Sequence, residues 1–113
     1  MIAHVVLFRP RTDLGGAARD ALASAFERAL REIPSIRRAR VGRRVTHGRP
    51  YEALMQVDCQ YAAILEFDDI SGLSAYLEHP AHEQLAAHFF NAFEDALMYD
   101  FEMSGSAALL DPR

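Results

Sequence analysis

The apolar positions along the chain follow two rhythms. Ile2 to Phe8 is a compact apolar run rich in β-branched residues, closed by Arg9-Pro10, and it predicts a strand. Ile2, His4, Val6 and Phe8 point to one side of that strand, and Ala3, Val5 and Leu7 to the other. Both sides are apolar apart from His4. Residues 15 to 33 change to a helical period. Leu22, Phe26, Ala29/Leu30 and Ile33 form one stripe, Glu27 and Arg31 stand four apart in the favourable order, and Pro34 ends the segment. Asp13 is placed to help satisfy the first amides.

Residues 36 to 46 predict a second strand, with Ala39, Val41 and Val45 on one face and Arg38, Arg40 and Arg44 on the other. His47-Gly48-Arg49-Pro50 marks a turn. Residues 51 to 60 fit neither rhythm. Tyr61 to Phe67 predicts a third strand, apolar on both faces except for Glu66. Asp68 and Asp69 cap a second helical region that begins near Ile70. Pro80 lies inside it and restarts the helix, since proline is accommodated at a first helical position. The expectation is a short helix to about Glu78 and a longer one from Pro80 to about Phe93. The longer helix buries Leu85, Ala86, Phe89 and Phe93, with His82 one turn earlier. Ala96 to Met103 predicts a fourth strand. The order is strand–helix–strand–strand–helix–strand. It specifies an α+β, ferredoxin-like βαββαβ fold, a four-stranded antiparallel sheet with its helices on one face.

Such a sheet leaves its other face open, and an open face in water should be polar. Here Leu97, Tyr99, Phe101 and Met103 alternate with Ala96, Met98 and two acids, and the first strand is apolar on both sides. A surface of that kind marks an interaction site. The economical cover is a second copy laid sheet to sheet, closing a barrel-like homodimer.

Composition narrows the function. A chain of 113 residues suits one domain, residues 1–103, with a C-terminal tail, 104–113, that carries Leu109-Leu110 and is either loose or laid across a partner. No apolar run approaches the ~20 residues of a membrane span. The start, MIAHVVLFRPR, is too short in its apolar part for a signal peptide. The single cysteine, Cys59, excludes an internal disulfide and fits a reducing, cytoplasmic setting. All twelve basic residues are arginine and the net charge is −4, which disfavours nucleic acid as the main partner. Arg37, Arg38, Arg40, Arg43, Arg44 and Arg49 lack the interleaved aromatics of a base-stacking surface and read as an exposed strand face that pairs with acids on a neighbour.

The candidate chemistry lies in YLEHPAHEQL, residues 76 to 85. His82, near a helix start and facing the sheet, is expected in an apolar cavity. Burial disfavours the imidazolium, so the ring stays neutral and basic. A neutral imidazole takes a proton from a carbon flanked by carbonyls. Tyr76 is placed to hydrogen-bond the carbonyl that becomes negative, and His4, on the facing strand, to orient one of these groups or the substrate. His79, Val6, Phe8 and Phe89 are the expected ligand-binding walls. Each residue also has a structural reading. His79 satisfies backbone groups around Pro80, His82 is a buried histidine with a protein partner, and Tyr76 is core with its hydroxyl tied off. A metal is the weaker alternative. His79 and His82 are three apart, but Pro80 lies between them, a third ligand would have to come from His4 or Glu83, and there is neither HExxH nor a cysteine cluster.

MIAHVVLF at the start, IP near residue 33, VG at 41–42 and Y-x-x-H-P-x-H at 76–82 together resemble the stress-responsive A/B-barrel domain (Dabb) family. The likeness runs from about residue 1 to 103. It implies a ferredoxin-like subunit and a dimeric α+β barrel. The motif is similar to that of plant polyketide cyclases of the olivetolic acid cyclase kind. That resemblance implies catalytic roles for Tyr76 and His82, a pocket-lining role for His4, a small apolar or aromatic ligand, and no cofactor. The reaction implied is an intramolecular aldol-type cyclisation of a poly-β-ketone. The rival expectation is a stress-associated, ligand-binding or structural dimer without turnover.

Overall fold

The computed structural model describes residues 1–110. Its elements are β1 (Ile2–Pro10), α1 (Gly16–Glu32), β2 (Arg38–Arg43), β3 (Tyr61–Phe67), α2 (Ile70–Glu78), α3 (Pro80–Ala92) and β4 (Phe93–Glu102). The strands form one sheet in the order β2-β3-β1-β4, every neighbouring pair antiparallel. This is the expected ferredoxin-like fold. The last three positions of the predicted tail lie outside the described residues. Ala107–Leu110, within the tail, forms a short exposed 3-10 turn.

The register assigns the two faces. His4 stands between Leu65 and Asp100, Val6 between Ala63 and Met98, and Phe8 between Tyr61 and Ala96. With Ala39 and Val41 of β2, these side chains face the helices. The alternate set, Val5 between Ile64 and Tyr99 and Leu7 between Ala62 and Leu97, faces away.

The helix boundaries follow from local chemistry. Asp69 caps α2, its Oδ1 accepting from the Gly72 amide at 2.9 Å. His79 is both the last residue after α2 and the cap of α3, with Pro80 at the first helical position. Pro80 lacks an amide, so the chain turns there and α3 leaves on a new axis.

Three expectations need correction. Asp13 does not cap α1. The helix starts at Gly16, capped by Gly15 without a side-chain bond, and Asp13 instead accepts from the Arg11 guanidinium. β2 covers residues 38–43 rather than 36–46, because its partner β3 begins at Tyr61, opposite Arg43. β4 begins at Phe93 rather than Ala96, since the ladder with β1 continues through a register shift to Pro10 opposite Phe93. Phe93 therefore belongs to the strand. The unassigned segment 51–60 opens with a 3-10 turn, Pro50–Leu54, whose Glu52 carboxylate accepts from the amides of His47 and Gly48. Gly48 has φ of 78°, a conformation open to glycine at little steric cost.

The tight core sits at one end of the sheet. Ala29 and Ile33 of α1 pack with Leu65, Phe67, Leu73 and Tyr76. Phe67 is wholly buried, so Phe67→Ala is expected to destabilise the fold by about 3–5 kcal/mol, whereas Asp69→Ala, which removes one cap, should cost about 1 kcal/mol. Urea unfolding of the two variants measures both, and equal losses would contradict this placement of the core.

Candidate active site

Toward the Phe8 end the helices and the sheet separate, leaving a cavity of about 540 Å³. That is within the range of small-molecule sites. Its floor is the inner sheet face and its roof is α1 and α3, with Tyr76 and Leu77 of α2 at one side. The cavity expected around His82 was one between its own helix and the sheet. The structure adds α1, through Leu22 and Phe26, as a second wall.

His4, Val6, Phe8, Tyr76, His82 and Phe89 all line this cavity. His79 does not. Its Nδ1 accepts from the Ala81 amide at 3.0 Å, which holds the ring in the cap of α3. His79 thus fixes where α3 begins, and through that where His82 points. His47 bonds the Tyr51 hydroxyl at 2.6 Å in the turn, and His88 is exposed.

Three polar rings meet at one end of the cavity. The Tyr76 ring lies 4.6 Å from that of His82, edge to face, and 5.8 Å from that of His4, centroid to centroid. Phe67 backs the tyrosine at 5.3 Å. Burial pushes the Tyr76 phenol up to about 12, so it is a hydrogen-bond donor, not a base, at neutral pH. Burial likewise holds His82 below the ordinary imidazole value. The nearby charge of a protonated His4 adds to this, and the Leu77 carbonyl opposes it. For the His82 ring nitrogens, as for the Tyr76 hydroxyl, no side-chain hydrogen-bond partner occurs among the described residues.

Asp100 completes the arrangement. The Nδ1–H of His4 donates to its Oδ1 at 2.6 Å, which leaves Nε2 as the ring nitrogen without a side-chain partner. Asp100 was read only as one of two acids on β4. It faces His4 across the β1–β4 ladder, a pairing that sequence spacing does not reveal. Burial and then the charge of Asp95 push the Cys59 thiol above its ordinary value, which disfavours the thiolate. Among the described residues no group of three or more His, Cys, Asp or Glu is arranged to hold a metal ion.

The arginine-rich segment is partly paired within the chain. Arg37 meets Asp68 at 2.8 Å and Arg44 meets Asp58 at 2.5 Å. No helix among the described residues is long and apolar enough to cross a membrane.

The site has a titration signature. Proton NMR of the His82 ring is expected to show a midpoint below the ordinary imidazole value, and His4→Gln should raise it. The unfolded chain binds this proton more readily than the folded one. Stability should therefore fall on acidification between the ordinary imidazole pKa and the lowered folded one, and recover above that window. A wild-type midpoint at or above the ordinary value would contradict the burial.

Comparison with known proteins agrees with this geometry at the level of fold. A hydroxynitrile lyase from Passiflora edulis is 16% identical and superimposes with a TM-score of 0.77, covering 93% of this chain and 94% of its own. A Dabb family protein from Mesorhizobium loti is 19% identical, with a TM-score of 0.71 and coverage of 92% and 97%. A dimeric ferredoxin-like protein of unknown function from Thermobifida fusca is 20% identical, with a TM-score of 0.70 and 90% coverage of each chain. Among functionally curated proteins none matches the sequence. The family model of the stress responsive A/B barrel domain matches residues 2–103, and the chain belongs to this Dabb family.

Proposed function

We propose that the cavity binds a small apolar or aromatic ketone and that the protein moves a proton at the carbon beside its carbonyl. The observation that carries this is the convergence of His4, Tyr76 and His82, with donor and acceptor atoms still free, on a predominantly apolar wall. A ring nitrogen of His82 takes the α-proton. The C–H electron pair moves into the enolate, and the Tyr76 hydroxyl donates to the oxygen on which the charge develops. His4, held by Asp100, orients the substrate. In a poly-β-ketone the same enolate attacks a second carbonyl of the chain, and the proton on His82 passes to the new alkoxide. Without that second carbonyl the proton returns to the α-carbon, and the outcome is hydrogen exchange or epimerisation there. Neither course requires a cofactor. Cleavage of an α-hydroxynitrile also sets a base beside a developing carbonyl, so the lyase among the structural relatives is in keeping with this chemistry. The lone Cys59 fits a cytoplasmic setting.

The outer sheet face supports a homodimer as the working form. Leu97, Tyr99 and Phe101 are 42%, 57% and 49% exposed in the single chain, beside half-buried Val5, Leu7 and Ile64. A contiguous apolar surface of this kind is costly in water, and a second copy placed against it leaves the cavity on the opposite side of the sheet.

Two experiments follow. In D2O the wild-type protein should speed deuterium incorporation at the α-carbon of an aromatic 1,3-diketone. His82→Gln is expected to lose this by about a hundredfold or more, and Tyr76→Phe by a similar factor. No exchange above buffer in the wild type would leave the ligand-binding protein without turnover as the reading. Separately, the double variant Leu97→Arg, Tyr99→Glu should sediment as a monomer where the wild type sediments as a dimer, and an unchanged dimer would place the interface elsewhere.

A further inference from the structure

Arg19 stands where the pattern calls for an apolar residue. The α1 side chains on the cavity wall are Arg19, Leu22, Ala23 and Phe26, a single stripe at helical spacing. Arg19 alone among the described wall residues carries a permanent charge. Arg9, Arg11, Arg28, Arg37 and Arg44 each have a carboxylate partner, whereas Arg19, like Arg31, Arg38, Arg40, Arg43 and Arg49, has none among the described residues, and of these six only Arg19 lines the cavity.

Its position in the cavity is informative. α1 starts just after β1 ends, and Pro10 and Leu14 line the cavity beside Arg19. The far end of α1, Ala29 and Ile33, packs on Leu65 and Phe67. Arg19 therefore marks one end of the cavity, while the polar rings cluster at the other, on the strand row of His4 and Leu65. Four residues of β1 separate the His4 row from the Phe8 row, a span of about 13 Å. Between the two ends the wall is apolar, built from Val6, Ala63, Met98 and Phe89.

We infer that the natural ligand is an elongated apolar ketone bearing a carboxylate at the end remote from its reacting carbonyl, with Arg19 as the counter-ion. This rests on the acid–base reading of the site for the reacting end, and on Arg19 alone for the anionic end. An unpaired carboxylate against an apolar wall is costly. The planar guanidinium fork matches a carboxylate in two hydrogen bonds and keeps its charge at every physiological pH. Arg19 is exposed, so water and salt weaken the pair without abolishing it. The contact lies far from the reacting carbon. It acts equally on ground state and transition state, and so on KM rather than kcat.

The probes are 9-oxodecanoate and its methyl ester, which share the methyl ketone and differ in the charge. Binding is measured by calorimetry and α-carbon exchange in D2O by NMR. The wild type is expected to bind the acid about tenfold more tightly than the ester at low salt, with a matching difference in KM. Arg19→Gln should bring the acid to the ester's affinity, leave the ester and kcat unchanged, and keep the fold. Equal affinity for the two probes in the wild type, failure to bind either, or an acid preference that survives in Arg19→Gln would overturn the inference. An Arg19-dependent acid preference without exchange of either probe would uphold the carboxylate site and sink the acid–base reading. Exchange without acid preference would do the reverse.

Discussion

The helical layer touches the sheet closely at only one end, and the rest of the structure depends on that asymmetry. Ala29, Ile33, Leu65, Phe67 and Leu73 pack together there as buried core. At the other end the side chains on β1 and β3 are met by helices that stand off, so the interface opens into a cavity. Close packing provides the rigidity, and the opening provides the site. Tyr76 belongs to both. Its ring packs on Phe67 in the core, and it lines the cavity wall next to His82.

Desolvation gives the polar rings their chemical character. In water an imidazole near neutrality is shared between two forms, and a phenol is a weak donor among many. Inside the cavity the charged forms of both are disfavoured, so His82 is held as a neutral base and Tyr76 as a neutral donor. His4 has a different environment, because Asp100 accepts its Nδ1 proton and sets which nitrogen faces outward. Two histidines that share Tyr76 as a neighbour thus have separate duties, assigned by burial for one and by a carboxylate for the other.

The Pro80 break in the second helical region is the device that aims His82. With His79 spent on capping, α3 starts on a new axis and its third residue turns inward over the sheet. The histidine outside the cavity is therefore as necessary to the arrangement as the one inside. Loss of the His79 cap would free the first turn of α3 and with it the base.

The apolar runs of β1 and β3, the pattern of β4, the stripe in α1, and the Asp69 and Pro80 punctuation determined the fold by themselves. Each is a local pattern, readable without knowing what lies opposite. The same local logic placed His4, Tyr76, His82, Val6, Phe8 and Phe89 on inward-facing positions. Asp100 was beyond its reach, because the partnership with His4 joins residues 96 apart and exists only through the β1–β4 register. The role of Arg19 was hidden for a similar reason. Its place on the α1 stripe is visible in sequence, but that the stripe ends over a cavity rather than in the core is set by how far α1 stands from the sheet. His79 shows the converse, since a helix cap and a wall residue have the same spacing from Tyr76, and only the direction of the ring tells them apart. The start of β4 at Phe93 was decided by strand pairing with Pro10, which overrode the helical stripe to which that residue also conforms.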